Sequence, residues 1–401
     1  MTIYDYFIIG GGIAGLTIYH RLQEHNKNLK ILLVEKNDYI GGRMKQQDFH
    51  GTTIKLGSGI IDETCIHINA LVNSLGIKPK QYKSNLIDIY LPTYDINEAI
   101  NKIIKIYDEE TRNKKIRLNM SVNTFLQQHF DTKFIELFYM YADYSDFHCQ
   151  DVNDFIINYP ITDLIRETQD IWSFKISDVM EKLQKDKNII LNYEVKTITS
   201  ALNKNKKIFT INDEYQTWNI ITATTINCLK RLLNYPFLSQ IKSTPFYRNF
   251  IYSKDLSKFP EGVIMVRNEL KKMIKWSKDV LMVVYCDTED ARFWHYINKI
   301  EENRPGIQIK VIKKLLEEND PDFGKIEILD QAYHYWDEGI HYYLPSVDDR
   351  KKWIIKNMNP EEGIYICGEM LAIKQGWMEG AVQSADMLFE NYLILVKEVK
   401  N

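Results

Sequence analysis

The sequence predicts an α/β protein built on a parallel sheet, with a second domain. Three observations lead there. An apolar run, a glycine cluster and an amphipathic stretch follow one another from the sixth residue onward. The same order of apolar run, glycine and amphipathic stretch returns near the other end, at 363–381. A length of 401 residues exceeds what a single small core organises, which calls for a second domain.

Taken in order, Tyr6, Phe7, Ile8 and Ile9 read as a buried strand ending in Gly10, Gly11 and Gly12. Ile13, Ala14, Leu16, Ile18, Tyr19 and Leu22 then suit the buried face of a helix, and residues 30–34 form a second apolar run closed by Glu35. Strand, helix and strand make a βαβ unit, whose crossover implies a Rossmann-like parallel sheet. Gly10-x-Gly12-x-x-Gly15 falls at the strand-to-helix turn. Glycines there permit the tight turn, close approach of backbone to a pyrophosphate, and close packing of helix on strand. The helix N-terminus faces the phosphates. Glu35 follows about 20 residues later, where a carboxylate accepts hydrogen bonds from ribose hydroxyls and repels the extra phosphate of NADP. These residues predict a dinucleotide site and leave NAD and FAD both open.

Residues 84–170 read as mostly helical, with Phe125, Phe130, Phe134, Leu137, Phe138 and Tyr141 at helical spacing as a core stripe. Residues 188–199 read as strand and 204–207 as a hairpin turn. Lys271, Lys272, Lys275 and Lys278 read as a solvated face beside Trp276. Near the end, 363–369 is a strand closing on Gly368-Glu369, and Gly376-Trp377-Met378-Glu379-Gly380-Ala381 opens a helix.

Composition excludes several classes. Hydrophobic residues at 45% and charged residues at 26% describe a globular chain. Lys+Arg 51 against Asp+Glu 54 leaves a net charge of -3, so no strong field draws nucleic acid or anionic membrane. The 5 cysteines are spread out with no CxxC pair, which fits a reducing compartment and no metal site. The first residues lack a signal peptide's basic start, and the apolar stretch 392–396 is far short of the roughly 20 residues of a membrane span. The expectation is a soluble, cytoplasmic protein. Abundant Lys, Ile and Asn suit an AT-rich genome such as some large DNA viruses or protists have.

After Glu35 the chain reads Tyr39-Ile40-Gly41-Gly42-Arg43, then Lys55-Leu56-Gly57-Ser58-Gly59. With the opening fingerprint and the closing Gly-Glu and Gly-Trp-Met-Glu-Gly segments, this resembles the flavin-containing amine oxidase family, which includes monoamine and polyamine oxidases. The resemblance implies non-covalent FAD held by Gly10, Gly12, Gly15, Glu35, Gly41, Gly42, Arg43, Gly57, Gly368, Glu369, Trp377, Met378 and Ala381. Tyr193-Glu194-Val195 resembles the strand lining the adenine site, which adds Val195. A guanidinium at 43 offers a fixed fork of donors to phosphate oxygens. The resemblance divides the chain into a Rossmann-like FAD-binding domain with parallel sheet, in parts at 1–76, 171–235 and 336–401, and a discontinuous α+β substrate domain at 77–170 and 236–335.

For chemistry, the resemblance implies oxidation of an amine by hydride transfer to the flavin, giving an imine, with oxygen as acceptor and hydrogen peroxide as product. Trp377 and Tyr342, or its neighbour Tyr343, match the aromatic residues that flank substrate, and Trp336 matches a tryptophan preceding that segment. Many members hold a lysine near the flavin where this chain has Phe246-Tyr247-Arg248-Asn249-Phe250, so Arg248 takes its place. Arginine cannot act as a base but can bind an anion. The stretch 339–343 lacks the cysteine to which monoamine oxidases attach FAD. Two alternatives stay open: an oxidase or desaturase of a non-amine compound, and a catalytically degenerate FAD-binding structural or interaction protein.

Overall fold

The computed structural model describes residues 2–82, 86–88, 94–112, 116–142, 145, 147–159, 171–185, 187–203 and 206–394. Its central element is a five-stranded parallel sheet in the order Ile189–Ile190, Ile31–Val34, Tyr6–Ile9, Ile220–Thr222, Ile364–Ile366. Ile8 lies opposite Leu33 on one side and Ile221 on the other, and Ile221 lies opposite Tyr365. Every residue of the strands at 6–9 and 31–34 is buried. Covering both faces is what makes these strands read as unbroken apolar runs. The helix Ile13–His25 packs one face of this sheet through Leu16, Ile18 and Leu22. The helix Met378–Leu388 joins the same core through Val382, Ala385 and Leu388. The two ends of the chain thus meet in one core.

The expected strand at 188–199 is instead two, Ile189–Ile190 and Ile198–Asn203. Between them Asn192 takes a left-handed backbone (φ 55°), and Tyr193 donates to the Glu35 carbonyl at 2.9 Å. The chain leaves the parallel sheet there and enters a second, four-stranded sheet, in which Asn203 pairs with Lys206. Residues 204 and 205 of the expected turn lie outside the described residues.

A six-stranded sheet forms the other half, in the order Asp330–Tyr343, Ile241–Tyr252, Val280–Asp287, Lys272–Lys275, Val263–Met265, Leu86–Asp88. Helices Thr288–Asn303 and Ile307–Asn319 cover one face, burying Trp294, Ile312 and Leu316. Part of the other face packs on Phe49, Ile54 and Leu56. The strand Asp330–Tyr343 is continuous through the domain boundary expected at 335/336. The aromatic stripe lies in a separate helical core, where Phe125, Phe138 and Phe155 pack together from Val122–His129, Thr132–Ala142 and Val152–Tyr159. Residues 160–170 of the region expected to be helical lie outside the described residues. No helix among the described residues is long and apolar enough to cross a membrane.

Candidate active site

One cavity of about 890 Å³ runs from the glycine turn of the parallel sheet to the open face of the six-stranded sheet. At the nucleotide end, the helix Ile13–His25 starts from Gly12, which is extended (φ −71°, ψ 173°) and has no side-chain cap. The first-turn N–H groups therefore need an outside partner, and they carry the positive end of the helix dipole. A Cβ at Gly15 would overlap the Gly10 carbonyl oxygen, whereas a Cβ at Gly12 meets nothing within 4 Å. Gly15 serves helix-on-strand packing, and Gly12 keeps space open in the cavity it lines.

Glu35 is buried beside this turn. Its Oε2 accepts from the Gly11 N–H at 2.8 Å, and its Oε1 accepts from the Asn37 N–H at 2.9 Å and from Asn37 Nδ2 at 2.8 Å. Val195 is buried and lines the same end, as do Gly10, Gly41 and Gly42; Gly41 donates to the Gly11 carbonyl at 2.8 Å.

Midway, Arg43 Nη1 donates to Glu369 Oε2 at 2.7 Å and to the Gly339 carbonyl at 2.9 Å. All of its hydrogen bonds among the described residues run through Nη1. Glu369 is only 4% exposed. Burial alone would raise its carboxyl; the Arg43 charge and His341 outweigh it and hold the group well below the usual range. Its Oε1 accepts from the Gly376 N–H at 2.7 Å and from the His341 N–H at 3.1 Å. His341 Nδ1 donates to Glu369, and its Nε2 accepts from the Ile226 N–H at 3.3 Å, which spends both ring nitrogens on structure. Gly376 leads into Trp377, the uncapped N-terminal residue of the helix Met378–Leu388. Gly57, Gly368, Glu369, Trp377, Met378 and Ala381 all line the cavity.

The far wall is the six-stranded sheet. Arg248 lies opposite His334 on one neighbouring strand and Tyr285 on the other, and Phe246 lies opposite Trp336. All five face the cavity. Trp336 Nε1 donates to the Leu56 carbonyl at 2.8 Å. Burial, with the Lys45 charge adding to it, pushes His334 down to about 4, so its imidazole is neutral near pH 7. Arg248 donates through Nη1 to the carbonyls of Lys55, at 2.9 Å, and Gly57, and its guanidinium carbon sits 4.5 Å from the Tyr285 ring centroid. Behind the wall, burial and the Arg248 charge push the Lys55 ammonium down to about 8.

Two expectations are corrected. Tyr342 is not part of the cavity wall: it pairs with Lys242, two positions past Ile340, where the strand has run beyond the cavity. Tyr343 is fully buried and donates to the Ala372 carbonyl at 2.9 Å. Lys272, expected on a solvated face, is 2% exposed and lines the cavity, because Lys272 and Ile274 take the inward positions of a short strand. Sequence reading also missed Phe246, Tyr285 and His334. The available signal was alternation along 241–252, 280–287 and 330–343, obscured because both faces of the first two strands are buried.

Residues 8–75 match a family model described as an NAD(P)-binding Rossmann-like domain. Protein R188 of Acanthamoeba polyphaga mimivirus is 30% identical over 123 residues, covering 28% of this chain and 24% of the relative. Prenylcysteine oxidase 1 of Bos taurus is 31% identical over 84 residues, 21% of this chain and 16% of the relative. The chain thus aligns with a quarter or less of either relative's length. The viral relative accords with the Lys-, Ile- and Asn-rich composition. Whole-chain likeness comes from solved structures. Putrescine oxidase bound to putrescine superposes with a TM-score of 0.73 at 14% identity, covering 99% of this chain and 100% of that one. Cyclohexylamine oxidase from Brevibacterium oxydans IH-35A superposes with a TM-score of 0.72 at 15% identity, covering 100% of both. The Rossmann-like unit opens a chain that has, from end to end, the fold of putrescine oxidase and cyclohexylamine oxidase.

Proposed function

We propose that the chain is an FAD-dependent oxidoreductase that oxidises a small amine at its C–N bond, with molecular oxygen as acceptor. The observation that carries this reading is the single cavity joining an open glycine turn to an aromatic wall, with Trp377 between them. Two helix starts without side-chain caps, at Gly12 and Trp377, border it. They suit a ligand with a pyrophosphate at one end and an electron-rich ring at the other. The structural neighbours putrescine oxidase, with putrescine bound, and cyclohexylamine oxidase support the choice of an amine.

FAD, when bound, supplies the two-electron acceptor. Glu35 would take the ribose hydroxyls, Gly12 and the helix start the pyrophosphate, and Met378 and Ala381 the ring edge. Phe246, Trp336, Tyr285 and Trp377 exclude water and orient the substrate C–H bond. The amine loses two electrons and two protons to become an imine, and oxygen gains both to become hydrogen peroxide. Among the described residues, Cys228 is the one cysteine lining the cavity, and burial keeps its thiol raised and protonated. That supports FAD without a covalent link. None of the five cysteines forms a disulfide, which supports a reducing, cytoplasmic setting.

A second reading, oxidation of a non-amine substrate, is favoured by the fixed positive charge of Arg248. Purified protein should be yellow and release its flavin on acid treatment, and anaerobic mixing with amines should bleach the oxidised band. Bleaching by non-amines alone supports the second reading. No bleaching by either class, with FAD stably held, points to a degenerate binding protein, and protein that cannot be loaded with FAD sinks all three. Trp377→Ala is expected to slow bleaching about 10- to 100-fold while FAD stoichiometry stays at that of the wild type. An unchanged rate would remove Trp377 from the substrate wall.

A further inference from the structure

Arg248 is the unusual group in the cavity. It is 8% exposed, at the centre of the His334–Arg248–Tyr285 row, and stays charged at any physiological pH. Among the described residues its hydrogen bonds go to two neutral carbonyls, both through Nη1. Nε is buried with no partner, and no carboxylate pairs with the guanidinium among the described residues. Of the carboxylates lining the cavity, Glu194 is exposed next to Val195 at the other end, and the remaining four are engaged elsewhere. Glu35 is held by Gly11 and Asn37 and Glu369 by Arg43, while Glu338 accepts from Thr225 and the Asn227 N–H. Asp337 acts on Tyr335 and His295. Around Arg248 stand the Phe246 ring, at 5.2 Å, the Tyr285 ring, at 4.5 Å, and His334. A desolvated guanidinium without an anion is costly, and no described residue supplies the missing charge.

We propose that Arg248 is the anchor for a substrate carboxylate, so that the enzyme acts on small amines that carry a carboxylate, such as amino acids. This rests on the flavin oxidase reading above and narrows its substrate class. The planar fork matches a carboxylate in two parallel hydrogen bonds. The aromatic neighbours accept the rest of a small organic acid. Pairing also suits the chemistry, since the same positive charge disfavours an ammonium beside it and favours the neutral amine that oxidation needs.

Benzoate is the probe, with benzylamine and benzamide as controls of the same shape. FAD content is measured first, by absorbance. Benzoate is then titrated into the FAD-loaded protein and followed by the flavin difference spectrum and by calorimetry. Wild-type protein should bind benzoate saturably and bind benzylamine and benzamide at least tenfold more weakly. Arg248→Met should weaken benzoate binding about 100-fold, and Arg248→Lys, which keeps charge but loses the fork, about tenfold, both with unchanged FAD content. Where Arg248→Met does not fold, Arg248→Lys and the ligand controls decide. Yellow wild-type protein that ignores benzoate, binds benzamide equally well, or binds benzoate equally well after either substitution overturns the carboxylate anchor and leaves the flavin reading standing. Wild-type protein that cannot be loaded with FAD overturns both.

Discussion

Gly12→Ala should leave the fold intact and lose the flavin, whereas Gly15→Ala should damage both. At position 12 a methyl group has no protein atom within 4 Å, and the backbone (φ −71°) suits alanine, so the apoprotein's thermal midpoint should not move. The methyl would instead occupy cavity volume beside the helix start, and FAD affinity should fall 10- to 100-fold, about 1.4 to 2.7 kcal/mol. At position 15 the methyl would be driven into the Gly10 carbonyl, a backbone atom in the same turn. Helix and strand must then part, costing about 1–3 kcal/mol in the apoprotein as overpacking does. FAD titration and denaturant unfolding of both variants check this. Equal unfolding midpoints for the two apoproteins would defeat the division of labour assigned to these glycines.

Glu369→Ala should be more damaging still. It removes the acceptor of Arg43, of His341 Nδ1, and of the His341 and Gly376 N–H groups at once. Losing one partner of a buried pair costs about 3–5 kcal/mol. The low end is expected here because Arg43 keeps some solvent contact, with a side chain 27% exposed. Glu369→Gln, which retains one acceptor oxygen, should recover part of this. The pH dependence has a definite sign. The folded carboxyl is held below its ordinary 4.5 by Arg43 and His341 against the cost of burial, so the contribution is full above about 4.5 and lost as pH falls through the lower folded value. Wild-type unfolding midpoints in urea should therefore drop below about pH 4.5 more steeply than those of Glu369→Gln. Parallel curves would show that the carboxyl is not held down in the folded protein.

The nucleotide end of the site was legible because its chemistry is local. Gly10, Gly12, Gly15 and Glu35 act through one βαβ unit, where turn geometry and a strand end fix residue types at fixed spacing. Gly41, Gly42 and Arg43 and the segment from Gly368 to Ala381 were reached through resemblance, since nothing at 43 announces that its partner is residue 369. The far wall of the cavity was hard to read for a different reason. Its members come from three antiparallel strands, and His334, Arg248 and Tyr285 meet only through ladder register. Lys272 looked like part of a solvated lysine run because its neighbours Lys271 and Lys275 form ion pairs with Asp290 and Glu261 while it alone turns inward. Tyr342 was misplaced by a few residues, the distance over which one long strand passes from cavity to edge.

The parallel sheet is assembled from strands at 6–9, 31–34, 189–190, 220–222 and 364–366, and closed by the helix Met378–Leu388. During synthesis the opening βαβ unit has its strand neighbours once residue 222 is made, but the edge strand at 364–366 and the closing helix that complete this core come only near the end of the polypeptide. Cofactor capture is accordingly a late event, and nascent chains ending before residue 360 should retain no flavin, a result that pull-down of stalled chains can measure. Under the flavin reading, quality control follows from that order: a truncated product should not acquire the cofactor, and a yellow molecule would be one whose translation has run to the closing helix.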